Sequence, residues 1–313
     1  NSFVDNVTIS TSTNDGIELT DSYNNTFTRI NSNSNDRGIN LQGSLNNQFT
    51  NITSNSNGNI GILLSSTSDN NQFTNITANS NGGTVLSISG RNNTFTNFTI
   101  NSGLGISISG SNHTLSNGVV NGSTANAIQI SSVASRGNVL NNISITNTVS
   151  TVRDLAISTA SLNGTVLTDM PHIGNYSFTG VGSLIIVNKS NFGEINFLTP
   201  VNGTGTNFSD AIRIVNNSIF VNSTVGNAGL NKSANITLYG LSTTFTNPKM
   251  LKDGALCNDC YNYTSLNAGT VIFNVSSWSN YSIGENPDIT SPIVTIVNPA
   301  NITYASSEFP LIF

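Results

Sequence analysis

The sequence predicts an all-β protein whose first half is a stack of repeated turns. One observation is a short phrase with an aromatic centre that recurs about every 20 to 24 residues, a period typical of repeat architectures. A second is a Gly-Ile-x-Leu phrase that recurs between its copies. A third is the clustering of Asn, Ser and Gly between the two phrases, which favours turns. The aromatic centres are Phe27, Phe49, Phe73 and Phe95.

Each repeat contains two strand-like runs. The first is the phrase seen at residues 46–52 and 70–76, and the second is the phrase at 16–19, 38–41 and 61–64. Both runs alternate apolar and polar residues, which is the period of a half-buried strand. Because two short strands cannot bury their own apolar face, the units are expected to stack turn upon turn.

Stacking places equivalent residues of successive turns in columns about 4.8 Å apart. Two interior columns are expected, one of Phe27, Phe49, Phe73 and Phe95 and one of Ile17, Ile39 and Ile62. A ladder of hydrogen-bonded amides is expected in the turn before the Phe strand. Its members share one phase of the repeat and are Asn24, Asn46, Asn70 and Asn92.

These phrases resemble the repeats of right-handed parallel β-helix proteins. Such repeats are found in pectate-lyase-like proteins, in NosD-type periplasmic copper-site maturation proteins and in prokaryotic, especially archaeal, cell-surface proteins. The resemblance covers about half of the chain and implies a right-handed parallel β-helix of about seven turns over residues 1–160. It is specific for fold and nearly silent on activity, because no catalytic motif of the family's enzymes matches residue by residue.

The second half has a different pattern. Beyond residue 160 the repeat fails, and longer alternating strands separated by Gly, Pro and Asn turns predict a β-sandwich domain over 161–285. Residues 286–313 are interpreted as a linker and the first strands of a truncated module, which resembles the immunoglobulin-like modules of surface proteins. The chain is therefore expected to be an excerpt of a longer multidomain protein.

The composition excludes two classes of partner. Only 8% of the residues are charged, and the 10 Lys and Arg leave a net charge of -5. Without a basic patch the chain is not expected to bind nucleic acid. It has no run of about 18 apolar residues, so this segment is not expected to span a membrane.

Asn-x-Ser/Thr recurs along the chain and marks candidate glycosylation sites. The candidates are Asn51, Asn75, Asn97, Asn142, Asn216, Asn235 and Asn274. The alternative is chance, because a chain so rich in Asn, Ser and Thr produces such triplets without any role. The scarcity of Lys and the pair of cysteines still favour an extracellular, cell-surface location.

Cys257 and Cys260 form the only Cys-x-x-Cys. A zinc ion would need two more ligands, and a redox motif would need a βαβ context that is missing. A short disulfide in an oxidising compartment is therefore expected, with a metal site and free thiols as alternatives. The nearby Tyr261 and Tyr263 are expected to be half-buried strand residues, with an exposed contact surface as the alternative.

The first turns contain the main local concentration of charge, with Asp15, Glu18, Asp36 and Arg37 as weak catalytic candidates. By repeat phase Asp15 aligns near Arg37. Carboxylates one turn apart bind calcium or share a proton, so Ca²⁺ is a candidate ligand and no other cofactor is expected. The simpler explanation is that these are solvated turn residues. Asp154 is the next candidate, for which a cap or domain junction is the simpler explanation.

Three hypotheses on function follow. The first is a non-enzymatic extracellular module of a cell-surface protein, with a structural or adhesion role and extracellular glycans or proteins as partners. The alternative is a polysaccharide-active enzyme, a lyase, hydrolase or epimerase of the pectate-lyase-like type. The third is a NosD-type maturation or carbohydrate-binding factor, which the lack of metal-ligand clusters disfavours.

Overall fold

The computed structural model describes residues 1–132, 135–146, 151–158, 164–179, 184–224 and 227–285. The protein is all-β, with sheets of 13, 9 and 5 strands. A parallel β-helix of about eight turns is followed by a sandwich-like antiparallel region, which confirms the predicted fold class. The segment expected to begin an immunoglobulin-like module, 286–313, lies outside the described residues.

The strands of the β-helix are short and follow one another in chain order. The first eight are β1 (Phe3–Ser10), β2 (Ile17–Thr20), β3 (Thr26–Asn33), β4 (Ile39–Gln42), β5 (Gln48–Thr53), β6 (Ile62–Leu64), β7 (Gln72–Asn79) and β8 (Leu86–Ile88). The next nine are β9 (Thr94–Asn101), β10 (Ile106–Ile108), β11 (Thr114–Asn121), β12 (Ile128–Ile130), β13 (Val139–Thr146), β14 (Leu155–Ile157), β15 (Thr165–Thr168), β16 (Tyr176–Phe178) and β17 (Ile185–Lys189).

The C-terminal region contains the remaining elements. Its first part comprises β18 (Gly193–Phe197), β19 (Gly203–Gly205), α1 (Phe208–Ala211), β20 (Ile212–Val215), β21 (Ser218–Val221) and a 3₁₀ turn at Ala228–Leu230. Its second part comprises β22 (Ala234–Leu238), β23 (Pro248–Lys252), β24 (Ala255–Leu256), β25 (Tyr261–Asn262), β26 (Val271–Val275) and β27 (Asn280–Glu285).

The odd-numbered strands β1 to β17 pair in parallel as the first sheet, and the even-numbered strands β2 to β16 pair in parallel as the second. The parallel pairing runs through β15 and along β17 to Asn188, past residue 160. It continues because Leu167, Ile185 and Val187 still alternate inward as buried residues, although the repeated phrase is gone. The last parallel strand, β17, thus lies within the range predicted for the sandwich, while the division into domains stays a prediction.

The interior columns are formed as expected. The stacked rings of Phe27, Phe49, Phe73 and Phe95 have centroids 4.7, 4.5 and 4.6 Å apart, and each pair is within 7° of parallel. These rings are buried together with the Ile and Leu side chains that point inward from the second sheet. Because each turn covers the apolar face of its neighbour, the core is one continuous rod.

The first-sheet strands bend at one residue in the left-handed conformation. In successive turns this residue is Arg29, Asn51, Asn75 and Asn97, with φ between 52° and 58°. The strand pairing skips it, so that Thr50 pairs with Thr74 and Ile52 with Ile76. Asn tolerates positive φ better than most residues, which explains why it recurs here. The bend divides the outward side of the first sheet into two adjoining strips.

The amide ladder lies one residue later than predicted. Its members are Asn25, Asn47, Asn71 and Asn93, the second Asn of each pair. The predicted members, Asn24, Asn46, Asn70 and Asn92, have positive φ and exposed side chains. One rung of the predicted ladder is formed on the surface, where Asn92 donates from Nδ2 to Oδ1 of Asn70 at 3.1 Å. Because the first Asn makes the tight turn, the second Asn is the one that points inward. A second buried ladder, of Asn35, Asn57 and Asn81, lies before the second-sheet strand.

In one interior column, a large side chain in one turn lies next to a glycine in the following turn. Where other turns place Ile, this column places Phe98 next to Gly118. A Cβ added to Gly118 would lie 2.0 Å from Cζ of Phe98, so the Phe ring occupies the space that a side chain at 118 would take. The two residues therefore fit only as a pair.

We expect Gly118→Ala alone to lower the free energy of unfolding by about 1 to 3 kcal/mol, because it overpacks the core. Phe98→Ile combined with Gly118→Ile should restore an unbroken Ile column at much smaller cost. Urea denaturation of Phe98→Ile, Gly118→Ile and their combination, analysed as a double-mutant cycle, measures the coupling, with Gly118→Ala measured beside them. An additive cycle would show that the two positions are independent.

The C-terminal region contains two antiparallel layers. Strands β18, β22, β26 and β25 extend the first sheet, while β20, β21, β27, β23 and β24 form the five-stranded sheet. Phe273 of the first sheet lies 6.2 Å from Tyr281 of the five-stranded sheet, measured between ring centroids. Trp278 contacts both Phe197 and Tyr281. These aromatic contacts form a core between the layers, as in a β-sandwich.

Candidate functional site

The structure brings three of the four charged candidates together. Nε of Arg37 lies 2.6 Å from Oδ1 of Asp15 and 3.7 Å from Oδ2 of Asp36. Asn40 donates from Nδ2 to Oδ2 of Asp15 at 2.6 Å. Glu18 instead accepts a hydrogen bond from Nε2 of Gln42 at 3.1 Å. The alignment of Asp15 with Arg37 by repeat phase is therefore found in the structure.

The chemistry of this cluster is that of an ion pair between turns. The Asp15 side chain is only 5% exposed, and both of its oxygens accept hydrogen bonds from side-chain N–H groups. A calcium ion or a transferred proton needs one of these oxygens, so it would have to displace a donor. Close by, Oδ1 of the buried Asn40 has no hydrogen-bond partner among the described residues. Catalysis or calcium binding by the four charged residues stays a prediction.

The outward side of the first sheet carries regular columns of hydroxyl and amide groups, which we call the threonine face. One column is Thr50, Thr74, Thr96 and Ser116, a second is Thr53, Thr77 and Thr99, and the bend residues Asn51, Asn75 and Asn97 lie between them. Asn75 donates from Nδ2 to Asn51 at 3.0 Å, and Asn97 donates to Asn75 at 3.3 Å. Strands β5, β7, β9 and β11 contain no charged residue.

The geometry of this face favours uncharged, hydroxyl-rich partners. Each turn repeats the same donors and acceptors about 4.8 Å further along the axis. The parallel Phe rings beneath show that the turns are in register, so the columns are straight. The face therefore presents a neutral and periodic hydrogen-bonding surface.

The structure separates the candidate glycosylation residues into two groups. Five have exposed side chains, four of them at the bend, namely Asn51, Asn75, Asn97 and Asn142, with Asn216 in a turn. Asn235 and Asn274 are half-buried and pair across β22 and β26, where Asn274 donates from Nδ2 to Asn235 at 3.2 Å. Their glycosylation stays a prediction.

The expected disulfide is present. Cys257 and Cys260 are bonded, with their Cα atoms 5.6 Å apart. Asp259 lies beside the two sulfurs, but a metal binds cysteine as thiolate, which the disulfide removes. The bridge closes the short connection between β24 and β25 and so restrains it.

The expectation of half-buried tyrosines beside this loop was wrong. Tyr261 is 66% exposed and Tyr263 is 55% exposed, and their rings meet edge to face at 5.3 Å. The reason is that β25 is the edge strand of the first sheet and has only two residues. Residues two apart point to the same side of a strand, so both rings project together into solvent.

His113 replaces asparagine in the first buried ladder. Its Nδ1 accepts a hydrogen bond from the Asn93 amide at 3.1 Å, and its own amide donates to Oδ1 of Asn138 at 2.9 Å. The neutral ring therefore has its proton on Nε2, which has no hydrogen-bond partner of good geometry among the described residues. Burial lowers the pKa of His113 to about 4, against weaker opposing effects of the Asn93 and Gly90 backbones. The sequence analysis missed this role, although aligning residue 113 with Asn93 would have found it.

Asp154 has a structural contact, but it is not at the cap or domain junction expected for it, because the parallel strands continue through β15, β16 and β17. It lies just before β14 and is buried. Its Oδ2 accepts a hydrogen bond from the amide of Gly174 at 2.6 Å. The carboxylate thus joins one turn of the β-helix to the next.

Fold and surface together define a class of protein, the parallel β-helix repeat proteins, here with an antiparallel C-terminal region. No protein-family model and no curated protein matches the sequence. Among solved structures, the chain is similar to one described as the crystal structure of Dettilon tailspike protein (gp208). The match has a TM-score of 0.39 and 12% identity, and covers 90% of this chain and 70% of that chain. A likeness of this degree says nothing about binding or activity.

In the part of the chain that the structure describes, no helix has the length and apolar character needed to cross a membrane.

Proposed function

We propose that this chain is a non-enzymatic structural and adhesion module of an extracellular surface protein, and that its threonine face binds glycans. The observation that carries the proposal is the set of straight, uncharged hydroxyl and amide columns on β5, β7, β9 and β11. Sugar hydroxyl groups hydrogen-bond well to such groups. A neutral face also avoids the cost of removing charges from water on binding.

Repetition supplies the strength of this binding. One hydrogen bond adds only about 1 kcal/mol net, because it replaces bonds to water. A glycan chain that lies along the axis meets the same groups at every turn, so its weak contacts add within one bound molecule. The rigid, continuous core holds these groups in place before binding, which lowers the entropy lost on association.

An extracellular location is supported by one further feature. The disulfide between Cys257 and Cys260 is of a kind that persists in oxidising compartments.

The test places charge on the threonine face. The intact chain is applied to a glycan array and to cells, beside the variant T74K/T96K and the control S87K/S107K. Ser87 and Ser107 lie on the outward side of the second sheet in the same two turns. We expect T74K/T96K to lose at least about tenfold in affinity, and the control to bind like the wild type.

Equal binding by the two double variants would show that the threonine face is not the binding surface. Absence of binding by the wild type to every glycan and cell tested would overturn the adhesion role. Circular dichroism and thermal unfolding confirm that each variant is folded.

The second candidate function is a calcium-dependent polysaccharide-active enzyme. The observation that favours it is the unpartnered Oδ1 of buried Asn40 beside the Asp15 carboxylate, since oxygen atoms of this kind are calcium ligands. The assay follows product release from a panel of acidic polysaccharides with Ca²⁺ and with EDTA. Release that requires Ca²⁺ and is lost in Asp15→Asn would overturn the non-enzymatic proposal, whereas inactivity throughout removes this candidate.

A further inference from the structure

A second exposed column runs along the turn that precedes the Phe strand, which we call the arginine column. Its members come just before the left-handed residue of each turn and are Tyr23, Leu45, Asp69, Arg91, Ser111 and Arg136. Backbone contacts establish the alignment, since Arg91 bridges Ser111 and the carbonyl of Arg136 accepts from the amide of Asn112. The column lies outside the threonine face.

Two arginines of this column enclose a cleft. Arg91, Ser111, Asn112 and Arg136 line a space of about 370 Å³. The cleft exists because the side chain of Ser111 is short, whereas the arginines in the turns before and after it have long side chains. Ser111 and Asn112 line the cleft together with the two arginines and supply a hydroxyl and an amide group.

Among the residues that the structure describes, neither guanidinium has an acidic partner. Ion pairs within the described residues involve Arg29, Arg37 and Lys252, and no carboxylate lies within 4.0 Å of Arg91 or Arg136. The nearest acid in the column, Asp69, accepts from the backbone amide of Arg91 at 2.7 Å. The cleft therefore has two positive groups and no negative one, in a chain of net charge -5.

We propose that this cleft binds the oxyanion of an acidic glycan, a carboxylate or a sulfate group. The guanidinium fork matches such groups with paired, charge-assisted hydrogen bonds. Ser111 and Asn112 are placed to hydrogen-bond hydroxyl groups of the same sugar. Two cations in a chain of net charge -5 are too few to neutralise the many phosphates that a nucleic-acid site contacts. The inference rests on the proposed function and adds to it a preferred class of glycan.

The test measures affinity by isothermal titration calorimetry with three probes. These are an oligogalacturonate, a chondroitin sulfate oligosaccharide and a neutral oligosaccharide of similar length. The wild type is expected to bind at least one acidic probe about tenfold more tightly than the neutral one, with an affinity that falls as NaCl is raised. Whichever acidic probe binds more tightly identifies the carboxylate or the sulfate as the natural group.

Two kinds of variant locate the binding in the cleft. R91Q and R136Q should each weaken binding of the acidic probe about tenfold, while R213Q, the same change at an exposed arginine of the five-stranded sheet, should not. Ser111→Leu should also abolish the preference for acid, because it fills the cleft while both arginines remain. The fold accepts leucine there, since Leu45 occupies the equivalent position of an earlier turn.

Equal affinity of the wild type for acidic and neutral probes would overturn the inference, and so would unchanged affinity in R91Q/R136Q. The binding data distinguish two failures. The first is that the cleft does not bind an acid group, and the second is that the threonine face does not bind glycans. In the first case the neutral probe still binds and T74K/T96K still weakens it. In the second case the neutral probe does not bind at all, while the acidic probe still depends on Arg91 and Arg136.

Discussion

Replacing Asn71 by alanine is expected to lower the free energy of unfolding by about 3 to 5 kcal/mol. Asn71 is buried, and its Oδ1 accepts from both N and Nδ2 of Asn47, at 2.9 and 3.1 Å. Its Nδ2 donates to the carbonyl of Ser44 at 2.9 Å and to Oδ1 of Asn93 at 3.2 Å. Alanine leaves several of these buried groups without a partner, and each costs about 1 to 3 kcal/mol. Urea denaturation followed by circular dichroism measures the loss.

The matched control is Asn75→Gly in the same turn. Asn75 is exposed, and glycine adopts its φ of 58° without strain. We expect a change within about 0.5 kcal/mol for this variant. If both variants lost the same amount, the buried ladder would have no special weight in stability, and the loss would reflect only the removal of an asparagine.

Acidification is expected to destabilise the protein through His113. Its pKa is about 4 in the folded chain and about 6.5 when unfolded, so the unfolded chain binds the proton first as the pH falls. The contribution is complete above pH 6.5 and is lost between about pH 6.5 and 4. The shift corresponds to a loss of about 3 kcal/mol of unfolding free energy. Chemical denaturation at a series of pH values in this window measures it.

The asparagine variant H113N isolates this effect. Asparagine restores the residue found at the equivalent positions, Asn93 and Asn138, and it does not titrate. Carboxylates with lowered pKa, such as Asp253 and Asp259, also destabilise the fold on acidification, but they do so equally in both proteins. The difference between the two stability curves should therefore grow to about 3 kcal/mol by pH 4. Parallel curves would show that protonation of His113 does not change the free energy of unfolding.

The fold was largely predictable because its main interactions occur between equivalent positions. Once Phe27, Phe49, Phe73 and Phe95 share a phase, stacking of their turns follows from the need to bury them. The continuation through β15 and β17 was not predictable from the phrase, because there only the inward apolar alternation remains. The prediction placed the buried amide ladder one residue too early, because the sequence alone does not say which Asn of a pair has positive φ.

The site was less predictable than the fold. The contact of Asp15 with Arg37 followed from the repeat phase, because both lie on a regular column. The exposure of Tyr261 and Tyr263 did not, since it depends on how few residues pair at the sheet edge. The cleft at Ser111 depends on side-chain lengths in neighbouring turns, which becomes visible only when the turns are aligned.

The bend in each first-sheet strand has a consequence for counting glycosylation triplets. The left-handed position favours Asn, the next residue must be apolar because it points into the core, and the one after points outward beside its neighbours. Asn51, Ile52 and Thr53 occupy these three positions, as do Asn75, Ile76 and Thr77. A bend occupied by Asn thus gives an acceptor triplet wherever the outward residue is Thr or Ser, whereas the bend at Asn117 gives none. A triplet at a bend is therefore explained by the backbone path and the surface composition together, and only occupancy measured on the protein itself reports glycans.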